Sequence, residues 1–116
     1  MEGKPVEETF QNIVKEGWLE KRSRFLKGWR RRWIVLTPHY ICTFKNQGQY
    51  KDPTEQILLA EFSSFFFADE EVKKQNSFKM ITHDREFYFA ADDTTSRDEW
   101  LSALGRVILN TEIKGL

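Results

Sequence analysis

The sequence predicts a mainly β domain that ends in one C-terminal α-helix. Over residues 16–91, short runs rich in aromatic and β-branched residues are separated by turn residues, which is typical of strands. After Asp92 the apolar residues recur at helical spacing instead. The chain has 116 residues, of which 40% are hydrophobic and 15% aromatic, so it can fill one dense core. A single domain is therefore expected.

Seven antiparallel strands are predicted from these runs. A polar stretch over residues 23–28 joins the first two strands into a hairpin. Pro38 and Pro53 mark later loops, because proline has no N–H to donate to a strand ladder. The predicted strands cover residues 16–22, 29–37, 40–45, 55–60, 63–68, 78–83 and 86–91.

The predicted helix follows the last strand. Ser96 precedes Glu99 by three residues, which is the spacing of a capping box, so we expect the helix to begin at Ser96. Its apolar residues fall on one side and would cover the sheet. They are Trp100, Leu101, Leu104, Val107 and Ile108.

The two ends of the chain are predicted to lie outside the domain. Residues 1–14 are expected to form an N-terminal arm or a short helix, residues 15–112 the folded domain, and residues 113–116 a C-terminal tail. Cys42 is the single cysteine, so no internal disulfide is expected and a reducing, cytoplasmic setting fits best. No apolar run approaches the roughly 18 residues that a membrane-spanning helix needs, and the charged opening does not read as a signal peptide.

Charge is sorted along the chain although the net charge is zero. Residues 15–32 hold eight basic and two acidic residues, and the rest of the chain carries the compensating negative charge. Such a polarised molecule presents one face to an anionic partner without being a polycation.

Three local motifs resemble those of the pleckstrin homology (PH) domain family. Gly17-Trp18-Leu19 opens the first strand, residues 29–36 form the second, and Asp98-Glu99-Trp100-Leu101 lies in the helix. The motifs also have the order and spacing of that family, and the resemblance extends over about residues 15–110. The resemblance implies a bent seven-stranded antiparallel barrel or sandwich capped by the helix, with Trp100 as a structural residue at one end. It also implies a phosphoinositide-binding module that recruits its protein reversibly to the cytoplasmic face of a membrane.

The first two strands bring basic residues to one face. Side chains alternate along a strand, so Arg30 and Arg32 share the face of the apolar residues that follow them, and Lys21 shares the face of Leu19. Charges are tolerated on a core-facing row only where that row leaves the core. Cations that converge at such a mouth suit phosphate groups, because arginine offers a planar fork of donors and lysine a point charge.

The family resemblance assigns roles to these bases. The spacing of three bases is similar to the family's basic signature for phosphoinositide headgroups: eight residues separate Lys21 from Arg30, and one separates Arg30 from Arg32. By this resemblance Lys21, Arg30 and Arg32 contact phosphates directly, Arg24 and Lys27 contribute from the hairpin loop, and Lys51 contributes from the next loop.

Other residues are candidates for contact with the membrane itself. Arg22 and Arg31, on the opposite face, suit diffuse attraction to anionic lipids. Phe25 and Leu26 at the loop tip either enter the bilayer interface or fold back onto the sheet. Thr43 occupies the third-strand position where family members selective for 3-phosphorylated inositides often carry tyrosine, so the preferred phosphate isomer stays open.

The sequence also bears on other functions. No triad, phosphate loop or metal-ligand spacing is present, so neither catalytic residues, a cofactor nor a metal is expected. The serious alternative is a protein-protein interaction adaptor of the same fold with only nonspecific affinity for anionic lipids, its bases being solvated surface charges. Nucleic-acid binding ranks last, because the net charge is zero. The partners expected are therefore phosphoinositide lipids and a possible protein, bound by a monomer.

Overall fold

The computed structural model describes residues 10, 12–26 and 28–114, with side chains up to residue 109. Within these residues, seven strands, one turn of 3-10 helix (Leu59–Glu61) and two helices follow one another. They are β1 (Lys15–Arg22), β2 (Trp29–Leu36), β3 (Tyr40–Phe44), β4 (Glu55–Leu58), β5 (Phe62–Phe67), α1 (Asp69–Val72), β6 (Ser77–Thr82), β7 (Glu86–Ala90) and α2 (Thr94–Lys114).

The strands form one antiparallel sheet in the order β4-β3-β2-β1-β7-β6-β5. Strand β1 pairs with β2 over its whole length, but it meets β7 only at Glu20 and Lys21. The sheet therefore bends at β1 and folds over on itself. Strands β4 and β5 remain its two edges, so the fold is a bent sandwich and not a closed barrel.

The predicted strands are confirmed, with ends that move by at most two residues. The largest shift is in the fourth strand, where residues 59 and 60 leave the ladder and form the 3-10 turn. The short helix α1 was not predicted. Its four residues contain no apolar repeat from which a helix could have been recognised, and it ends at Lys73, which has a positive φ of 56°.

The predicted start of the C-terminal helix is wrong. Helix α2 begins at Thr94, and the side chain of Asp93 accepts a hydrogen bond from the Ser96 N–H at 2.8 Å. Asp93 is thus the capping residue, and Ser96 lies inside the first turn. Aspartate and serine both favour the cap position. The helix begins directly after Asp93, so Asp93 caps it and Ser96 does not.

Helix α2 closes the sandwich with its apolar side. Trp100, Leu104 and Val107 are buried, and Leu101 and Ile108 pack beside them. The core joins this stripe to the inner faces of the strands. Its other large members are Leu19, Ile34, Leu36, Ile41, Ile57, Leu59, Phe62, Phe78, Met80, Phe87 and Phe89.

A second apolar cluster covers the outer face of β2 and β3. Val35, Cys42 and Phe44 are buried there, and Phe10 and Ile13 of the segment before β1 pack against them. Most of the predicted N-terminal arm, residues 1–9 and 11, lies outside the described residues. None of the helices that the structure describes is long and apolar enough to span a membrane.

Candidate functional site

The hairpin of β1 and β2 places three cations on one face. Lys21 lies directly opposite Arg30, and Leu19 lies opposite Arg32. Residues directly opposite in an antiparallel pair share a face. Leu19 is buried in the core, so the same row runs from the core out to Lys21, Arg30 and Arg32 at its open end. Like charges placed opposite each other cost stability, so this arrangement suits an anion between them.

These cations line a pocket of about 320 Å³ at the mouth of the sandwich. The bases in its wall come from both strands of the hairpin, from the hairpin loop and from the β6–β7 turn. Among the described residues, the lining is Lys21, Arg22, Ser23, Arg24, Phe25, Arg30, Arg32, Thr54, Glu55 and Arg85. Six of these ten residues are basic, and one is acidic.

Two of the three arginines of β2, Arg30 and Arg32, are available for a ligand. Arg30 is exposed, and Arg32 donates one hydrogen bond from Nη1 to the main-chain oxygen of Arg31 at 3.0 Å. Neither forms an ion pair within the described part of the chain. Arg31, on the opposite face, pairs instead with Asp92 at 3.7 Å and lies over the Trp18 ring.

The other edge of the pocket carries a carboxylate that sequence reasoning missed. Glu55, at the start of β4, forms ion pairs with Lys21 and with Arg85, the latter at 2.5 Å. The side chains of Lys21, Glu55 and Arg85 are only 11%, 22% and 18% exposed. Both cations also lie over the ring of Phe87, Arg85 at 3.9 Å and Lys21 at 5.8 Å.

Glu55 is held in its charged form. Burial by itself raises the pKa of this carboxyl, but hydrogen bonds from Lys21 and Arg85 outweigh burial and leave the pKa below its ordinary value. At neutral pH this carboxylate therefore places a negative charge in the pocket, shared between Lys21 and Arg85, two of the six basic residues among the described ones that line it.

Both residues that were missed obey the rule that found Arg30 and Arg32. Glu55 stands two residues before Ile57, and Arg85 stands two residues before Phe87; both apolar residues are buried in the core. Each charged residue thus heads a core-facing row of its strand. The alternation of strands β4 and β7 therefore contains the signal that would have identified both residues.

The remaining candidate residues lie in several places. Arg24 lines the pocket. Arg22, which the alternation of β1 assigned to the opposite face, is also part of the lining, and its guanidinium lies 5.1 Å from the Tyr88 ring. Lys51 is exposed in the β3–β4 loop and is not part of the lining. Lys27 lies outside the described residues.

Thr43 does not reach the pocket. It is buried, and its hydroxyl is hydrogen-bonded to that of Thr54, which does line the pocket. Thr54 is therefore the threonine whose position allows contact with a ligand.

The hairpin tip projects from the domain. Phe25 is 82% exposed and Leu26 is 74% exposed, so the tip does not fold back onto the sheet. The Leu26 N–H donates to Ser23 Oγ at 3.3 Å, and the Ser23 N–H donates to the Gly28 oxygen at 2.7 Å. These bonds hold the loop as a turn that presents its two apolar side chains beside the pocket.

The pocket has the chemistry of a polyanion site. Guanidinium and ammonium groups approach one concave space from several elements, and an exposed apolar tip stands at its rim. No group of three histidine, cysteine, aspartate or glutamate side chains within the described residues could hold a metal ion.

Comparisons with known proteins agree with this description. Residues 13–109 match the PH domain family. Pleckstrin homology domain-containing protein 1 of Arabidopsis thaliana is 29% identical over 106 residues, covering 88% of this chain and 73% of that protein. A PH domain-containing protein of Dictyostelium discoideum is 32% identical over 94 residues, which are 79% of this chain but only 20% of that protein.

Solved structures show the same architecture. The C-terminal PH domain of pleckstrin, crystallised in complex with D-myo-Ins(1,2,3,5,6)P5, superimposes with a TM-score of 0.73. It is 27% identical in sequence, and the match covers 85% of this chain and 99% of that one.

Proposed function

Because this chain belongs to the PH domain family, we propose that it binds the phosphorylated headgroup of an inositol lipid and thereby recruits its protein to the cytoplasmic face of a membrane. The observation that carries the proposal is the convergence of Lys21, Arg30 and Arg32 on one pocket. The inositol phosphate bound by the pleckstrin PH domain supports the choice of ligand.

The proposed mechanism has three steps. The excess of basic residues over 15–32 steers the domain to an anionic surface. Arg30 and Arg32, which have no acidic partner among the described residues, then take the headgroup phosphates in charge-assisted hydrogen bonds. Phe25 and Leu26 enter the interface and add apolar contact. The outcome is a reversible change of location, and no chemical step is part of it.

The test is sedimentation of the purified chain with liposomes that contain each phosphoinositide in turn, at low and at physiological salt. Arg32→Ala is compared with Arg31→Ala, which removes the same charge from the adjacent position on the other face. Hydrogen bonds to charged groups contribute about 1.5–3 kcal/mol, so Arg32→Ala is expected to weaken selective binding about tenfold to a hundredfold. Arg31→Ala is expected to keep the selectivity.

The outcomes separate three interpretations. Selective binding that is lost only in Arg32→Ala supports a headgroup pocket and identifies the lipid. Equal loss in both variants, with binding to every anionic liposome that salt abolishes, reduces the hairpin to a nonspecific electrostatic patch. Absence of binding to all liposomes overturns the lipid proposal.

One observation favours the adaptor as a second candidate. Strand β5 is an unpaired edge of the sheet, and it exposes Phe66 by 53% and Phe67 by 63%. An extended peptide could pair with such an edge through main-chain hydrogen bonds. Binding of that kind is indifferent to Arg32→Ala but is lost on Phe66→Ser, whereas headgroup binding has the opposite pattern.

A further inference from the structure

Glu55 is the one acidic residue among the described residues that line the candidate pocket. It belongs to β4 and is paired across the β3–β4 ladder with Thr43, so the sheet itself determines where the carboxylate stands. It joins Lys21, from β1, to Arg85, from the β6–β7 turn. These three residues come from three distant parts of the chain, and all are largely buried at the pocket edge.

The pairing divides the pocket into two halves. On the β2 side, Arg30 and Arg32 have no acidic partner among the described residues. On the β4 side, Lys21 and Arg85 already share the charge of Glu55. A carboxylate presents two acceptor oxygens to cations, as a phosphate does. Glu55 therefore occupies, from within the chain, the place that a phosphate would take between Lys21 and Arg85.

This division affects ligands unequally. A headgroup whose phosphates contact only Arg30 and Arg32 leaves the Glu55 pairs intact. A headgroup with a further phosphate at the Lys21–Arg85 edge has to displace the carboxylate or bind beside a like charge. At about 5 Å, a unit charge changes the affinity for a phosphate about fourfold in bulk water and roughly a few hundredfold at an effective dielectric constant of about 20, so roughly tenfold is a conservative expectation for this partly solvated site.

We propose, resting on the function proposed above, that Glu55 is a specificity-determining residue. It favours headgroups that need only the Arg30–Arg32 side and discriminates against those that place an additional phosphate between Lys21 and Arg85. The recognised chemistry, a cluster of phosphates on an inositol ring, is shared by membrane lipids and by soluble inositol phosphates. Glu55 acts on both sources, because it lies in the pocket and not at the exposed tip.

The experiment is calorimetric titration with soluble headgroups: inositol 1,4-bisphosphate, inositol 1,4,5-trisphosphate and inositol 1,3,4,5-tetrakisphosphate. Glu55→Gln keeps the shape of the side chain and removes its charge. Glu70→Gln, at an exposed acid of α1 that does not line the pocket, is the matched control for net charge. Liposomes that carry the corresponding lipids form a second arm, which shows whether the same preference holds at a membrane.

The expected result is a gain that grows with phosphate number. Glu55→Gln should bind the tetrakisphosphate roughly tenfold more tightly than the unaltered chain does and should leave the bisphosphate nearly unchanged. Glu70→Gln should change neither. An equal gain for all three ligands, or none, overturns the role of Glu55 while the proposed function stands. If the unaltered chain binds none of the headgroups and no liposome, the proposed function fails and this inference with it.

A measurement on the unaltered chain covers the case in which Glu55→Gln does not fold. The carboxyl carbon of Glu55 is followed by NMR during the same titrations. The tetrakisphosphate should shift this resonance, because the carboxylate loses its cations, while the bisphosphate should leave it in place. A resonance that responds alike to both ligands refutes the inference.

Discussion

The exposed tip of the β1–β2 hairpin yields a prediction that separates membrane contact from headgroup binding. Leu26 is 74% exposed, and it does not line the pocket. Full burial of a leucine side chain contributes about 1.5–3 kcal/mol. Three quarters of that is about 1–2 kcal/mol, so Leu26→Ser is expected to weaken binding to phosphoinositide liposomes roughly fivefold to thirtyfold.

The assay pairs two titrations of the same variant. Liposome sedimentation measures binding to the headgroup and insertion into the bilayer interface together, whereas calorimetry with the soluble headgroup measures binding in the pocket alone. Only the affinity for liposomes should fall. The serine keeps the main-chain N–H that donates to Ser23 Oγ, so the turn should be unchanged. Leu109→Ser is the control: this leucine of α2 is 55% exposed and lies away from the pocket.

Two results would contradict the proposed role of Leu26. A parallel loss of affinity for the soluble headgroup would mean that Leu26 shapes the pocket. Unchanged liposome binding would mean that the tip stays in water. The urea midpoint should be the same in both variants and the unaltered chain, because neither leucine side chain is buried.

Three further predictions concern stability and are checked by urea unfolding. Trp100→Ala should lower the free energy of unfolding by about 3–5 kcal/mol, because the indole is buried where α2 meets the sheet. A loss below about 1 kcal/mol would contradict the burial of Trp100 in the core. Asp93→Ala should lower the free energy of unfolding by about 1 kcal/mol and Ser96→Ala by clearly less, since Asp93 caps α2. A larger loss for Ser96→Ala would indicate that Ser96 is the capping residue. The pKa of Glu55 is lower in the folded chain than its ordinary value of 4.5, so the unfolded chain takes up the proton first as pH falls. The stabilisation from Glu55 is therefore complete above pH 4.5 and is lost as pH drops through the folded pKa. The stability difference from Glu55→Gln should shrink over that range, and a difference independent of pH would show that the carboxylate charge is not involved.

The hairpin half of the candidate site could be predicted from the sequence. Strand side chains alternate with a period of two, so Arg30 and Arg32 had to share the face of Ile34 once β2 was recognised. The short loop made β1 the antiparallel neighbour of β2, which brings Lys21 opposite Arg30. These relations are local, and they need no knowledge of the rest of the fold.

The start of α2 shows where local reasoning failed. Asp93 and Ser96 are both good capping residues, and both stand before an apolar helical repeat. The choice between them depends on where the chain leaves β7, which a local pattern does not contain. The structure shows this exit directly, with the Asp93 side chain bonded to the Ser96 N–H.

The order of the predicted strands and C-terminal helix, the apolar side of α2 and the basic row of the hairpin are all predictable from the sequence, because each follows from the periodicity of a short segment. The position of Glu55 and Arg85 beside that row depends instead on how the sheet folds. They lie 34 and 64 residues after Lys21 in the chain. The bend of the sheet at β1 is what brings β4 and the β6–β7 turn to the same mouth. The net charge that faces a ligand therefore depends on residues from distant segments. The folding of the sheet over itself brings these residues together, whereas the alternation within one strand determines only which face each residue of that strand occupies.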